Sequence, residues 1–162
     1  MRRSTTVNAF VAWGLVALAS LTLSSRALDA QGSLTPADYT EIQQLYAKYN
    51  MAIDSGDAAG WAGTFTNDGT FMKSKGTEDL KKFAQGFYTQ FKGNARHWNS
   101  NLVITPSADG AKGSCYLQLL DVTTKAIVTS GTYNDSLVKT PAGWRFKERT
   151  VKGDVPPPGS TK

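Results

Sequence analysis

The chain predicts an α+β fold, three N-terminal helices packed on a strongly curved antiparallel sheet. Three observations carry this. From Tyr39 to Phe91 apolar side chains recur at spacings of three and four, the helical period, whereas from Arg96 to Val151 they alternate as in strands. Short turns at Ala108-Asp109-Gly110 and Pro141-Ala142-Gly143 separate the strands, which favours antiparallel neighbours. With 162 residues there is room for one domain, at 34–152, and not for two ordinary ones.

Ahead of that domain, residues 1–30 have the layout of a secretory signal peptide. Arg2 and Arg3 form a positive start, Ala9 to Leu23 is mostly apolar, and small residues offer cleavage after Ala27 or Ala30. The apolar run is about 15 residues, short of the roughly 20 that span a bilayer, so no stable membrane insertion is expected after cleavage. The chain therefore reads as exported, periplasmic or secreted. Its single cysteine, Cys115, allows no internal disulfide, so the domain depends on its core.

The first helix starts at Thr35-Pro36, with Thr as the N-cap and Pro at the first helical position. Asp38 and Glu41 complement the dipole at that end. Tyr39, Ile42, Tyr46, Tyr49 and Ile53, with Leu45 beside them, form one stripe. Ser55-Gly56 stops the helix, and Asp57 caps a second over about Ala58–Phe65, with Trp61 and Phe65 as its buried face. Asn67-Asp68-Gly69 has turn chemistry, and Thr70-Phe71-Met72 begins a strand. Thr77, Glu78 and Asp79 open a third helix that presents Leu80, Phe83, Phe87 and Phe91 on one face and ends at Gly93. Four strands follow: Arg96–Thr105, Lys112–Val122, Ala126–Lys139 and Trp144–Val151. In the second, Cys115, Leu117 and Leu119 face one way and Tyr116, Gln118 and Leu120 the other. Pro156-Pro157-Pro158 cannot join a ladder, so 153–162 reads as a disordered tail.

Composition excludes several function classes. Removing Arg2, Arg3, Arg26 and Asp29 from 18 basic and 13 acidic residues leaves 15 and 12, a net +3. That is too mild for nucleic acid, and the lysines at 73, 75, 81 and 82 read as a solvated surface. One histidine, one cysteine and scattered carboxylates give no metal-ligand spacing, and no Gly-rich phosphate loop is present. No cofactor is expected.

Asp54 is the residue that asks for a partner. It sits at a helix C-terminus, where the dipole favours cations, so a donor should balance it. An imidazole would do so, and an imidazole held by a carboxylate can move protons near neutral pH. The bland alternative is an Asx-type turn at Asp54 and a core histidine at His97. Cys115 reads as a buried filler rather than a nucleophile, Asp57 as a cap, and Trp61, Tyr49 and Phe87 as cavity wall or core. Asn99 and Asn101 share strand parity with His97 and are expected on its face as weak ligand-orienting residues.

The segments AIDSGDAAGWAGTFTNDGTF, ARHWNSNLVI and GTYNDSLVKTPAGWRFKERTV, in this order, resemble the SnoaL-like branch of the NTF2-like superfamily. The resemblance covers about Leu34 to Lys152 and implies a cone-shaped barrel enclosing a pocket for a small, largely apolar or aromatic molecule. It also implies a homodimer through the outer face of the sheet, with Leu117 or Leu119 as exposed contacts. Relatives include scytalone dehydratase and ketosteroid isomerase. In the dehydratase pattern Asp54 matches a pocket aspartate and His97 the strand histidine that it orients. Ile53 and Met72 stand where that pattern has tyrosines, its second histidine has no counterpart, and its polar pair on the third strand reads Gly131 and Tyr133. Two classes stay open: a cofactor-independent acid–base lyase, isomerase or hydrolase acting through Asp54 and His97, with Tyr49, Trp61, Tyr133, Asn99 and Asn101 around the ligand, or a non-catalytic ligand-binding or dimerisation module.

Overall fold

A computed structural model describes residues 33–154. The expected signal peptide and the proline-rich tail from 155 onward lie outside the described residues. Among the described residues no helix is long and apolar enough to cross a membrane.

Helix α1 runs Pro36–Ser55. Its start is a capping box: Asp38 N donates to the Thr35 hydroxyl at 3.2 Å, and Thr35 N donates to Asp38 Oδ2 at 2.9 Å. Asp38 also accepts from Lys139 Nζ at 2.7 Å and Trp144 Nε1 at 2.9 Å, which ties the helix start to the far end of the sheet. The stripe Ile42, Leu45, Tyr46, Tyr49 and Ile53 is buried as its spacing predicts, while Tyr39 near the helix start is exposed. The helix ends on Gly56 at φ 80°, packed under the Tyr88 ring so closely that a Cβ would lie 2.8 Å from it. Both the left-handed backbone and the close approach require glycine there.

The short α2 spans Ala58–Ala62, capped by Asp57, and stops before the expected Phe65 because the chain turns at Gly63 into strand β1, Phe65–Phe71. Asn67-Asp68-Gly69 lies inside β1 rather than forming a separate turn. Its extra residues are absorbed as an irregularity between Phe65 and Thr70 in the pairing with the last strand. A two-residue strand β2, Ser74–Lys75, folds back on β1. Helix α3 spans Thr77–Phe91, with Leu80 and Ala84 buried and Phe83, Phe87 and Phe91 half-buried.

Four long strands complete the domain: β3 Ala95–Ser107, β4 Gly110–Asp121, β5 Ala126–Thr140 and β6 Gly143–Gly153. The six-stranded sheet has the order β2-β1-β6-β5-β4-β3. Its pairings are antiparallel except β1 with β6, which run parallel and are joined through α3 and the intervening strands rather than by a hairpin. Four of the five pairings shift register once. Each shift adds residues to one strand, bending it and increasing its twist, which is how a long sheet wraps around a helix. The inner face carries Cys115, Leu117, Tyr133, Leu137 and Phe146 against Tyr46, Tyr49 and Trp61. Leu117 and Leu119, expected as exposed dimer contacts, are each 5% accessible. The exposed side of these strands belongs instead to Trp98 and Tyr116, at 59% and 56%.

Candidate functional site

Asp54 and His97 meet. The Nδ1 of His97 lies 2.6 Å from Asp54 Oδ1, and the His97 backbone N donates to Asp54 Oδ2 at 2.9 Å. Both carboxylate oxygens are thus held by one residue of β3, which balances an anion at the wrong end of a helix dipole. The side chains are 5% and 10% accessible for His97 and Asp54. A carboxylate only accepts, so Nδ1 carries the proton, and Nε2 of a neutral ring is then left with a lone pair. The ring stands between Phe87 of α3, with centroids 5.2 Å apart, and Tyr49 of α1 at 6.4 Å. An imidazole oriented by a buried carboxylate, set among aromatic walls, has the parts of a general acid–base.

Deeper in the cone lies a second cluster, which no spacing in the sequence announces. Arg149 is wholly buried and forms a two-pronged ion pair with Asp135, Nε to Oδ1 and Nη2 to Oδ2, both 2.8 Å. The Tyr46 hydroxyl donates to Asp135 Oδ2. Four rings surround the guanidinium, with its Cζ 4.6 Å from the Tyr46 centroid, 4.2 Å from Tyr49 and Tyr133, and 4.1 Å from Phe146. Burial by itself would lower the Arg149 pKa, but the hydrogen bonds and charge of Asp135 outweigh it and hold the group above its ordinary value. Burial, then the nearby Asp135 charge, pushes Tyr46 up. Burial also raises Tyr49 and raises Tyr133 well above the usual phenol range, so both hydroxyls stay protonated. The two tyrosine hydroxyls lie close enough to perturb each other, but no hydrogen bond of sound geometry reaches Tyr49.

The other expected site residues separate. Tyr49 and Tyr133 line the Arg149 cluster. Trp61 is core, stacked on Phe83 at 5.5 Å. Asn99 faces inward on the His97 side and donates to Asn50 Oδ1 at 3.4 Å. Asn101 does not share that face: it is exposed, with φ 56°, because the β3–β4 pairing shifts register between Ser100 and Val103. The bulge reverses strand parity beyond Asn99. Cys115 is buried on β4, and burial pushes its thiol up to about 11, which suits a filler and not a nucleophile.

The space expected beside the pair as an open apolar chamber is occupied by Tyr46, Tyr49, Tyr133, Phe146 and Arg149. Two open clefts lie elsewhere. One of about 790 Å³ runs along the outer side of α1 past Lys48, Met51 and Arg145, and one of about 440 Å³ crosses the exposed sheet face near Val103, Lys112 and Glu148. Neither contains Asp54 or His97.

Solved structures share this architecture. A protein of unknown function with a cystatin-like fold from Nostoc punctiforme matches with a TM-score of 0.68 and 28% identity, over 78% of this chain and 98% of that one. A Catenulispora acidiphila protein, solved in complex with S-DNPA, matches with a TM-score of 0.65 and 26% identity over 74% and 96%. A protein provisionally described as a scytalone dehydratase, from Novosphingobium aromaticivorans, matches with a TM-score of 0.65 and 23% identity over 78% and 96%. A comparison with curated proteins gives no significant match. The profile of the SnoaL-like domain matches residues 35–150, the whole of the helices and sheet just described up to the last residues of β6. On that match the chain belongs to the SnoaL-like domain family, whose NTF2-like, cystatin-like fold suits the binding of small molecules.

Proposed function

We propose that this chain is an exported SnoaL-like protein that performs cofactor-independent acid–base chemistry, of the lyase or isomerase kind, on a small and largely apolar molecule. The single observation that carries the proposal is the 2.6 Å contact between His97 Nδ1 and Asp54 Oδ1, with the His97 backbone N on the other oxygen. Asp54 fixes the ring and its tautomer, and His97 Nε2 takes up or delivers the proton. The half-buried Phe87 supplies the apolar approach from α3. Kinship with a fold that hosts dehydratases and isomerases is consistent with this, though the fold does not dictate the reaction.

The test is a panel of small cyclic hydroxyketones, enones and epoxides incubated in D2O and followed by NMR for exchange, elimination or ring opening. Turnover is expected from the native protein and a loss of roughly 10²–10⁴-fold from His97→Gln, the usual contribution of a positioned acid–base. Turnover that survives His97→Gln removes the proposal. The packed interior around Arg149 favours a second reading, a non-catalytic binding or dimerisation module. Under it, ligands bind without reacting and His97→Gln changes affinity alone. Export is tested separately, by N-terminal sequencing of protein recovered from a bacterial periplasm, with cleavage expected after Ala27 or Ala30.

A further inference from the structure

Among the described residues four buried side-chain atoms have no hydrogen-bond partner: Tyr49 Oη, Trp61 Nε1, Asn99 Oδ1 and Arg149 Nη1. Buried polar groups are nearly always paired, because leaving one unpaired costs about 1–3 kcal/mol. Three of the four are donors, and two of those, Tyr49 Oη and Arg149 Nη1, belong to side chains in direct contact, the guanidinium carbon lying 4.2 Å from the Tyr49 ring centroid. Tyr133 stacks on the same guanidinium at 4.2 Å and stands edge-on to Tyr49 at 6.1 Å. Asp135 already uses both oxygens on Arg149 and Tyr46, so it leaves Nη1 and the Tyr49 hydroxyl unmet.

We propose that Arg149 Nη1, with the hydroxyls of Tyr49 and Tyr133, forms a deep polar subsite that takes the hydrogen-bond-accepting oxygen of a planar, otherwise apolar carbonyl compound. This deepens the small-molecule reading above and rests on it. The chemistry of the corner selects the ligand: a guanidinium N–H only donates, and its charge, already balanced by Asp135, favours a neutral polarised oxygen over a second full anion. The rings of Tyr49, Tyr133 and Phe146 suit a flat, apolar body. Tyr49 is also the wall shared with His97, its centroid 6.4 Å from the imidazole, so a ligand anchored at Arg149 extends along Tyr49 toward the imidazole. Entry is from α3, the side where Phe83, Phe87 and Phe91 are only half-buried and where a Cβ added at Gly86 would meet nothing within 4 Å.

Acetophenone and ethylbenzene, which differ only at the carbonyl, are the probes. The native protein is expected to bind acetophenone at least about tenfold more tightly, since a site with unpaired donors discriminates against an analogue lacking the acceptor. The infrared carbonyl stretch of bound acetophenone should fall below its value in a hydrocarbon solvent. In the double variant Tyr49→Phe, Tyr133→Phe, which keeps every ring, the preference should shrink to within about twofold and the stretch should return upward. Removing Arg149 is no test, because it strands Asp135. Equal affinity for the two probes, a preference that persists in the double variant, or no binding of acetophenone at millimolar concentration overturns the subsite. The two readings fail separately: a carbonyl preference without His97-dependent turnover keeps the subsite and removes the acid–base role, whereas His97-dependent turnover without the preference does the reverse.

Discussion

At the scale of single residues, Asp54 does one job that Asn cannot: it accepts from two donors of His97 with two equivalent oxygens. Asp54→Asn keeps the shape but replaces one acceptor with an NH2 donor, so either the backbone N or Nδ1 of His97 loses its partner. The expected outcome is a loss of about 1–3 kcal/mol of stability in urea unfolding, and an imidazole whose 15N shifts report a mixture of tautomers instead of the Nδ1–H form alone. A single tautomer retained in the variant would show that Asp54 does not set the ring. Cys115 gives a second test at this scale. Burial raises its thiol to about 11, so at pH 8 it is protonated as well as covered, and a colourimetric thiol reagent should react only after urea is added. The sign follows for stability. The folded state holds the thiol proton more tightly than the unfolded chain, so its contribution is complete below the unfolded value and lost as pH rises from about 9 to about 11.

At the scale of elements, what the sequence showed and what it hid divide at the bulges. The α1 stripe, the caps at Thr35 and Asp57, and the alternation of Cys115, Leu117 and Leu119 are local patterns, and each appears where its spacing places it. The pairing of Asp54 with His97 was legible because a carboxylate at a helix C-terminus needs a donor and the chain has one histidine. Arg149 was not. Strict alternation from Trp144 and Phe146 points Glu148 inward and Arg149 to solvent. The β5–β6 pairing sets Leu137 opposite Phe146 and Ser136 opposite Glu148, which leaves Lys147 as the extra residue and turns Arg149 inside. The bulge at Asn101 has the same effect in β3. A bulge leaves no spacing signature in one strand, because it is defined by the partner strand. The capping box offers an element-scale prediction. Thr35→Ala should cost about 0.5–2 kcal/mol in chemical unfolding. Asp38, whose carboxyl is held below the usual carboxylate range by Lys139, then Thr35 and Trp144, contributes its stability fully above that range. That contribution is lost as pH falls toward the lowered folded value, so the melting temperature should drop on acidification below about pH 4, and less so in Asp38→Asn. Equal acid sensitivity of the two proteins would assign the drop to other carboxyls.

At the scale of the whole molecule, the question is whether the buried Arg149–Asp135 pair holds the cone together or is kept for another purpose. The pair crosses from β5 to β6, accepts Tyr46 from α1, and sits among four rings, so helix and sheet meet on it. Desolvating two charges is expensive, and such a pair is often no more stabilising than well-packed apolar residues of similar volume. Breaking it is another matter, since one partner alone leaves an uncompensated buried charge. Arg149→Met should therefore lose about 3–5 kcal/mol, and Asp135→Leu a similar amount, whereas the double variant should recover much of both losses. A recovered double variant that melts near the native protein, with its acetophenone preference gone, would mean that the pair is retained for recognition and not for stability. A double variant as unstable as either single one would mean that the ion pair is itself the joint between α1 and the sheet, and that the orphaned N–H of Arg149 is the cost of building it.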